Sequence, residues 1–238
     1  MKLFVKISPV QLKSMLFMVV LISLLTHGAN AQSKRSVACK LASDLKSGTL
    51  VVVLKTDSKK LMWLKKYATS GSEKSKSKFS KQLNKTLANR DSTWKYVTMG
   101  FSKLYRFSEV CFLMDTSLQQ FIKDPSACSF YDEKLQKLNK MPGGKLFVCK
   151  YGHTFEDQST NLQHAWYVMD SKLGRLQKPF PEIIQFSLFK PSLFLRLPKD
   201  FMSENKIDKV GERQRPLQHA LKLNNELNKF YSKTGDCA

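Results

Sequence analysis

The chain has 238 residues, with 40 Lys and Arg against 19 Asp and Glu, a formal net charge of +21. A field of that sign draws in polyanions such as nucleic acid, acidic glycans or an anionic membrane face, but only seven of the basic residues are Arg, the side chain suited to bidentate phosphate or base recognition. The five cysteines (Cys39, Cys111, Cys128, Cys149, Cys237) contain no C-x-x-C pair, which excludes a thioredoxin-type redox site and a zinc knuckle.

The first 31 residues have the layout of an export signal. Lys2, Lys6 and Lys13 form a basic start, Met15 to Leu25 is an apolar run interrupted only by Ser23, and Ala29 to Ala31 offer small residues for cleavage after Ala31. The run is well short of the roughly 20 residues that a membrane-spanning helix needs, so no integral span is expected after cleavage. Cys39 lies several residues beyond the cleavage point, which leaves no lipid attachment site at the mature start. A periplasmic or secreted protein is expected, with residues 32–47 as a polar lead, 48–234 as one globular domain, and 235–238 as a tail. Disulfides persist in such a compartment, and Cys39 and Cys237, near the two mature ends, are the pair expected to meet. Cys111 and Cys149 sit in apolar runs and are expected in the core.

Thr49 to Leu54 is β-branched and apolar, preceded by Gly48, and predicts a buried strand. Thr56, Asp57 and Ser58 are N-cap candidates for a helix carrying Leu61, Met62, Trp63 and Leu64. The turn between them has no G-x-G-x-x-G, so no dinucleotide fingerprint is present. From Lys55 to Lys95 there are twelve basic and three acidic residues. Within this stretch Phe79, Leu83 and Leu87 are spaced for one helical face, with Lys74, Lys76, Lys78, Lys81 and Lys85 around it. Two readings follow: a solvated helix docked on the sheet by a thin apolar stripe, or an anion-binding arm. Asn84-Lys85-Thr86 matches a glycosylation sequon, relevant only in a glycosylating host.

Farther on, a short helix or turn around Trp94 leads to a strand at Phe107 to Met114, followed by helical turns at Ser117 to Ile122 and Glu133 to Leu138. Gly143-Gly144-Lys145 fails as a phosphate loop, because it opens a strand (Lys145 to Lys150) instead of leading from strand to helix. A polar loop then collects His153, Glu156, Asp157 and His164 next to Cys149. These are all residue types that carry protons or bind metals, yet their spacing matches no zinc pattern. A hairpin follows: strand Ala165 to Met169, a turn at Asp170 to Gly174 with Gly at the left-handed corner, and strand Arg175 to Lys178. Pro179 and Pro181 place the far end at an edge. From Pro216 a helix presents Leu217, Leu221, Leu227 and Phe230 on one side, with His219 expected as a partly exposed helix residue.

"FLMDTS" at Phe112 to Ser117 is echoed by "YVMDSK" at Tyr167 to Lys172, which raises Asp115 and Asp170 as an acid/base pair. A helix N-cap for Asp115 and a turn for Asp170 explain both without chemistry. Trp63, Trp94 and Trp166 are expected in the core. The order of elements predicts an α+β (or α/β) domain with a mixed sheet of four or five strands flanked by helices, and a late antiparallel hairpin. The expected function is non-enzymatic binding of an anionic polymer or envelope surface through the lysine-rich helix, with no cofactor and no metal. The alternative is a hydrolase or metal-dependent enzyme with its site in the 149–170 region.

Overall fold

The computed structural model describes residues 34–152, 165–176, 178–184 and 215–233. They form an α+β domain around a five-stranded sheet in the order β2-β1-β3-β4-β5. The strands are β1 (Thr49–Leu54), β2 (Glu109–Met114), β3 (Leu146–Gly152), β4 (Ala165–Met169) and β5 (Ile183–Ile184). β1 runs parallel to both β2 and β3, whereas β4 is antiparallel to β3 and to β5. The run TLVVVL is buried at every position because β1 is central and covered on both faces, which is why it lacks a polar alternation.

Each face has its own core. Leu50, Val52, Leu54, Phe112, Phe147, Cys149, Trp166 and Val168 meet one set of helices, while Val51, Val53, Cys111, Leu113, Val148, Tyr167 and Met169 meet Leu118, Phe121 and Phe130 on the other. The first face is covered by α1 (residues 34–46), the C-terminal half of α3 (Glu73–Lys103) and α5 (Arg215–Lys233); the second is covered by α4 (Leu118–Lys123) and the segment after it. Residues 34–46 were expected as a polar lead. They form a helix because Ala38, Ala42 and Leu45 recur on one face and are fully buried.

Several local expectations change for physical reasons. Trp94 sits within the 31-residue α3 rather than in a separate turn, since nothing between Glu73 and Lys103 breaks the helix. Glu133 to Leu138 is not helical: the Asp132 carboxylate accepts the backbone N–H of Lys134 (2.9 Å) and Gln136 (2.8 Å), and Tyr131 pairs with Lys137. Tyr131 also exchanges both backbone hydrogen bonds with Phe112, at 2.9 Å each, and so covers the outer edge of β2. In the β4 turn Asp170 accepts from the N–H of Lys172 and Gly174, but the left-handed position is Leu173 at φ 66. Gly174 is needed for closeness, because a Cβ there would lie 3.0 Å from the Asp170 carboxylate. The backbone of Arg175 meets Met169 in an isolated bridge and not in a strand, and on the side of β4 away from β3 the strand partner is β5.

The glycine pair before β3 is explained by packing. Gly144 takes φ 69, and a Cβ on it would lie 2.8 Å from the Ser47 carbonyl oxygen, so the turn closes directly on the end of α1. Lys145 pairs with Asp44 at 2.8 Å, and its carbonyl accepts the Thr49 N–H at 3.0 Å. No helix among the described residues is long and apolar enough to cross a membrane.

Candidate anion-binding surface

α2 (Ser58–Thr69) and the N-terminal half of α3 form a helical hairpin joined at Ser70-Gly71-Ser72. Thr69 and Ser70 hydroxyls cap the end of α2 by donating to the Lys66 carbonyl at 2.9 and 2.8 Å, and Gly71 takes φ 110 to reverse the chain. The base is pinned to the sheet: the Trp94 indole N–H donates to the Lys55 carbonyl at 2.8 Å, and the Arg90 guanidinium lies over the Trp94 ring. The sequence anticipated an apolar stripe docked on the sheet. The stripe instead meets α2 at Phe79, on which Trp63 and Tyr67 pack with ring centroids 5.3 and 5.4 Å away, and Leu83 and Leu87 are half-buried outside the two cores of the sheet.

The five predicted lysines separate into two groups. Lys74, Lys78, Lys81 and Lys85 follow at steps of four, three and four residues, which sets them in one line on the side of α3 opposite Phe79, Leu83 and Thr86. All four are exposed. With a rise of about 1.5 Å per residue the line is roughly 16 Å long. Lys76 is off this line: it is half-buried on the apolar side and pairs with Glu73 at 3.1 Å. The acids of the hairpin are each taken by a neighbour, Asp57 by Lys55, Glu73 by Lys76 and Asp91 by Arg90. None of these ion pairs touches the four aligned lysines, so among the described residues the line carries positive charge with no acid paired to it.

Trp63 was expected in the core, and this is corrected: it is 48% exposed, next to Met62 at 72%. Trp166 is buried and Trp94 is half-buried. The signal that could have separated them is the spacing: Leu61, Leu64 and Ala68 already supply the inward face of α2, leaving Met62 and Trp63 on the outside.

The other candidate, the polar loop with His153, Glu156, Asp157 and His164, lies outside the described residues. Its strand neighbour Cys149 is fully buried, and burial raises its thiol pKa well above the usual range, so it acts as a core residue. Among the described residues no group of three or more His, Cys, Asp or Glu could hold a metal ion. The Asp115/Asp170 pairing fails on topology. β2 and β4 run in opposite directions, so their C-terminal ends lie at opposite edges of the sheet. Asp115 ties the ends of two parallel strands, accepting the Thr56 N–H at 3.0 Å and the Thr56 hydroxyl at 2.6 Å. At the same edge, between β1 and β3, the crossovers pass to opposite faces of the sheet, the usual ligand position in doubly wound sheets. Lys150 stands there half-buried, its pKa lowered by burial and partly restored by the Asp115 charge.

No protein-family model, curated protein or solved structure matches the chain. Two further features were invisible in the sequence. His219 is buried, with Nδ1 2.6 Å from the Arg215 carbonyl and its ring near Tyr151 and Trp166; burial pushes its pKa down to about 4. A cleft of about 640 Å³ opens at the N-terminal end of β2, lined by Tyr105, Arg106, Glu109, Asp132 and Lys134. Its Tyr105 hydroxyl is engaged by Ser108 at 2.9 Å and its Asp132 carboxylate by the turn N–H groups, so neither converges on a ligand.

Proposed function

We propose that this is an exported, non-enzymatic protein that binds an anionic polymer or envelope surface through the α2–α3 hairpin. The observation that carries the reading is the line Lys74, Lys78, Lys81 and Lys85, segregated from every acid of the hairpin. Charges aligned at steps of about 4.5 to 6 Å suit a linear polyanion, which several of them can engage together. Two features support export: the leader-like first 31 residues, and the disulfide in which Cys39 is engaged while Cys111, Cys128 and Cys149 are free thiols. The expected partner, Cys237, lies outside the described residues. The test is retention on heparin and on duplex DNA across a salt series. Retention that ignores ionic strength, or none at low salt, defeats the proposal.

The second reading, a hydrolase or metal-dependent enzyme with its site in the 149–170 region, is favoured by one observation: Lys150 stands half-buried at the switch-point edge within the field of Asp115. Metal analysis of the purified chain and thermal melting with added zinc discriminate. Bound metal or a zinc-dependent rise in Tm favours this reading, and a metal-free chain with an unchanged Tm counts against it.

A further inference from the structure

α2 has four lysines and no acid, and it displays Met62, Trp63 and Tyr67, three of the six large hydrophobics exposed among the described residues. Lys59, Met62, Trp63 and Lys66 recur at steps of three and four on one side of the helix, and Tyr67 borders that side next to the buried Leu64. Interfacial aromatic and apolar side chains flanked by lysines, on a helix of low overall hydropathy, are residue types suited to the headgroup boundary of an anionic bilayer.

We propose that the outer face of α2 docks on an anionic phospholipid bilayer, with Met62 and Trp63 set into the headgroup boundary and Lys59, Lys60 and Lys66 at phosphate level. This rests on the hairpin being the anion-seeking element, but it uses the other helix and different side chains, so the two ideas can fail separately. Charge complementarity selects the occupant. A second copy of this face would set lysines against lysines, and three exposed apolar side chains fall far short of the roughly 800 Å² per partner that a stable dimer buries. Single-stranded nucleic acid prefers a basic groove with free ring faces for stacking. Here Trp63, Tyr67 and Phe79 already pack on one another, the first two with centroids 4.5 Å apart. A bilayer needs neither groove nor free ring face.

The test uses the full mature chain with vesicles of phosphatidylcholine alone or mixed with phosphatidylglycerol, and with lipids brominated high on the acyl chain. Co-sedimentation is expected only with the anionic vesicles, with Trp emission quenched by the brominated lipid. Trp63→Phe should keep most of the binding and lose the quenching. Lys59→Gln/Lys60→Gln/Lys66→Gln should weaken partitioning on the order of a hundredfold, at about fivefold per lysine near an anionic surface. Lys34→Gln/Lys123→Gln/Lys140→Gln/Lys229→Gln, at exposed positions off the hairpin, should leave both vesicle binding and quenching in place. Several results overturn the inference: equal binding to both vesicle types, quenching that survives Trp63→Phe, vesicle binding lost with the α3 lysines instead of the α2 lysines, or an α2 face that drives dimerisation or single-strand binding. A chain that binds heparin but ignores anionic vesicles overturns it while leaving the α3 reading intact; a chain that ignores both defeats both.

Discussion

Replacing Lys74, Lys78, Lys81 and Lys85 with Gln removes four charges from one line on α3 and leaves its packed face untouched. Lys and Gln have similar helix propensity, so the hairpin should persist. If the line lies along a duplex DNA backbone, each contact contributes about 0.9 to the slope of log K against log salt, and losing four flattens that slope by up to about 3.6. Between 50 and 200 mM salt the wild type should then lose about two orders of magnitude more affinity than the variant. Fluorescence anisotropy of a labelled duplex across that salt series measures both slopes. Lys34→Gln/Lys123→Gln/Lys140→Gln/Lys229→Gln is the control, since those four lysines are exposed and lie off the hairpin. It makes the same change in net charge. Lys76→Gln should alter the slope by less than one contact, because Lys76 is on the packed side and paired with Glu73. Equal slope losses in the two quadruple variants would refute the argument, since binding would then follow net charge alone.

Three more outcomes follow from the geometry. His219 has a folded pKa of about 4 against about 6.5 unfolded, so the unfolded chain takes up the proton first; stability is full above about pH 6.5 and should fall by about 3 kcal/mol as pH drops to 4. Urea unfolding of His219→Phe should lack that part of the pH dependence, and an unchanged profile would show that His219 does not cause it. Asp115→Ala strips Thr56 of the acceptor for its N–H and hydroxyl, and should cost about 1–3 kcal/mol in the same assay; a smaller loss would mean that water replaces the carboxylate. Gly48→Ala drives a Cβ into the Lys145 and Asp44 carbonyl oxygens, both backbone, and should cost at least about 1–3 kcal/mol, whereas Gly143→Ala meets nothing within 4 Å and should stay within about 0.5 kcal/mol. A reversed order would contradict the packing of that turn on α1.

The strands were legible where one physical signal dominated. TLVVVL and AWYVM are short apolar runs bounded by turn residues, and the Asp170 carboxylate announces its own turn. The length of α3 was not legible. Its first half is so polar that its apolar stripe is thin, and the second half turns toward the sheet and α5, so the two halves resemble separate elements. Residues 34–46 were hidden for a related reason: Ala38 and Ala42 are small enough to bury fully yet add little hydrophobicity to a window rich in Lys and Ser. The lysine line was half legible. Spacing alone separates Lys76 from Lys74, Lys78, Lys81 and Lys85, but which side of α3 meets solvent depends on α2, a partner that sequence periodicity does not name. That Asp115 and Asp170 lie at opposite ends of the sheet was not legible, because pattern carries no strand direction and the reversal of β4 is a property of the sheet.

Lysine acylation footprinting tests the central claim most directly: reactive ester is added with and without heparin, and each lysine is read by mass spectrometry. Protection concentrated at Lys74, Lys78, Lys81 and Lys85, and absent at Lys34, Lys123, Lys140 and Lys229, is the result expected. Protection spread evenly over both sets would contradict it, and leave the basic charge without a preferred face.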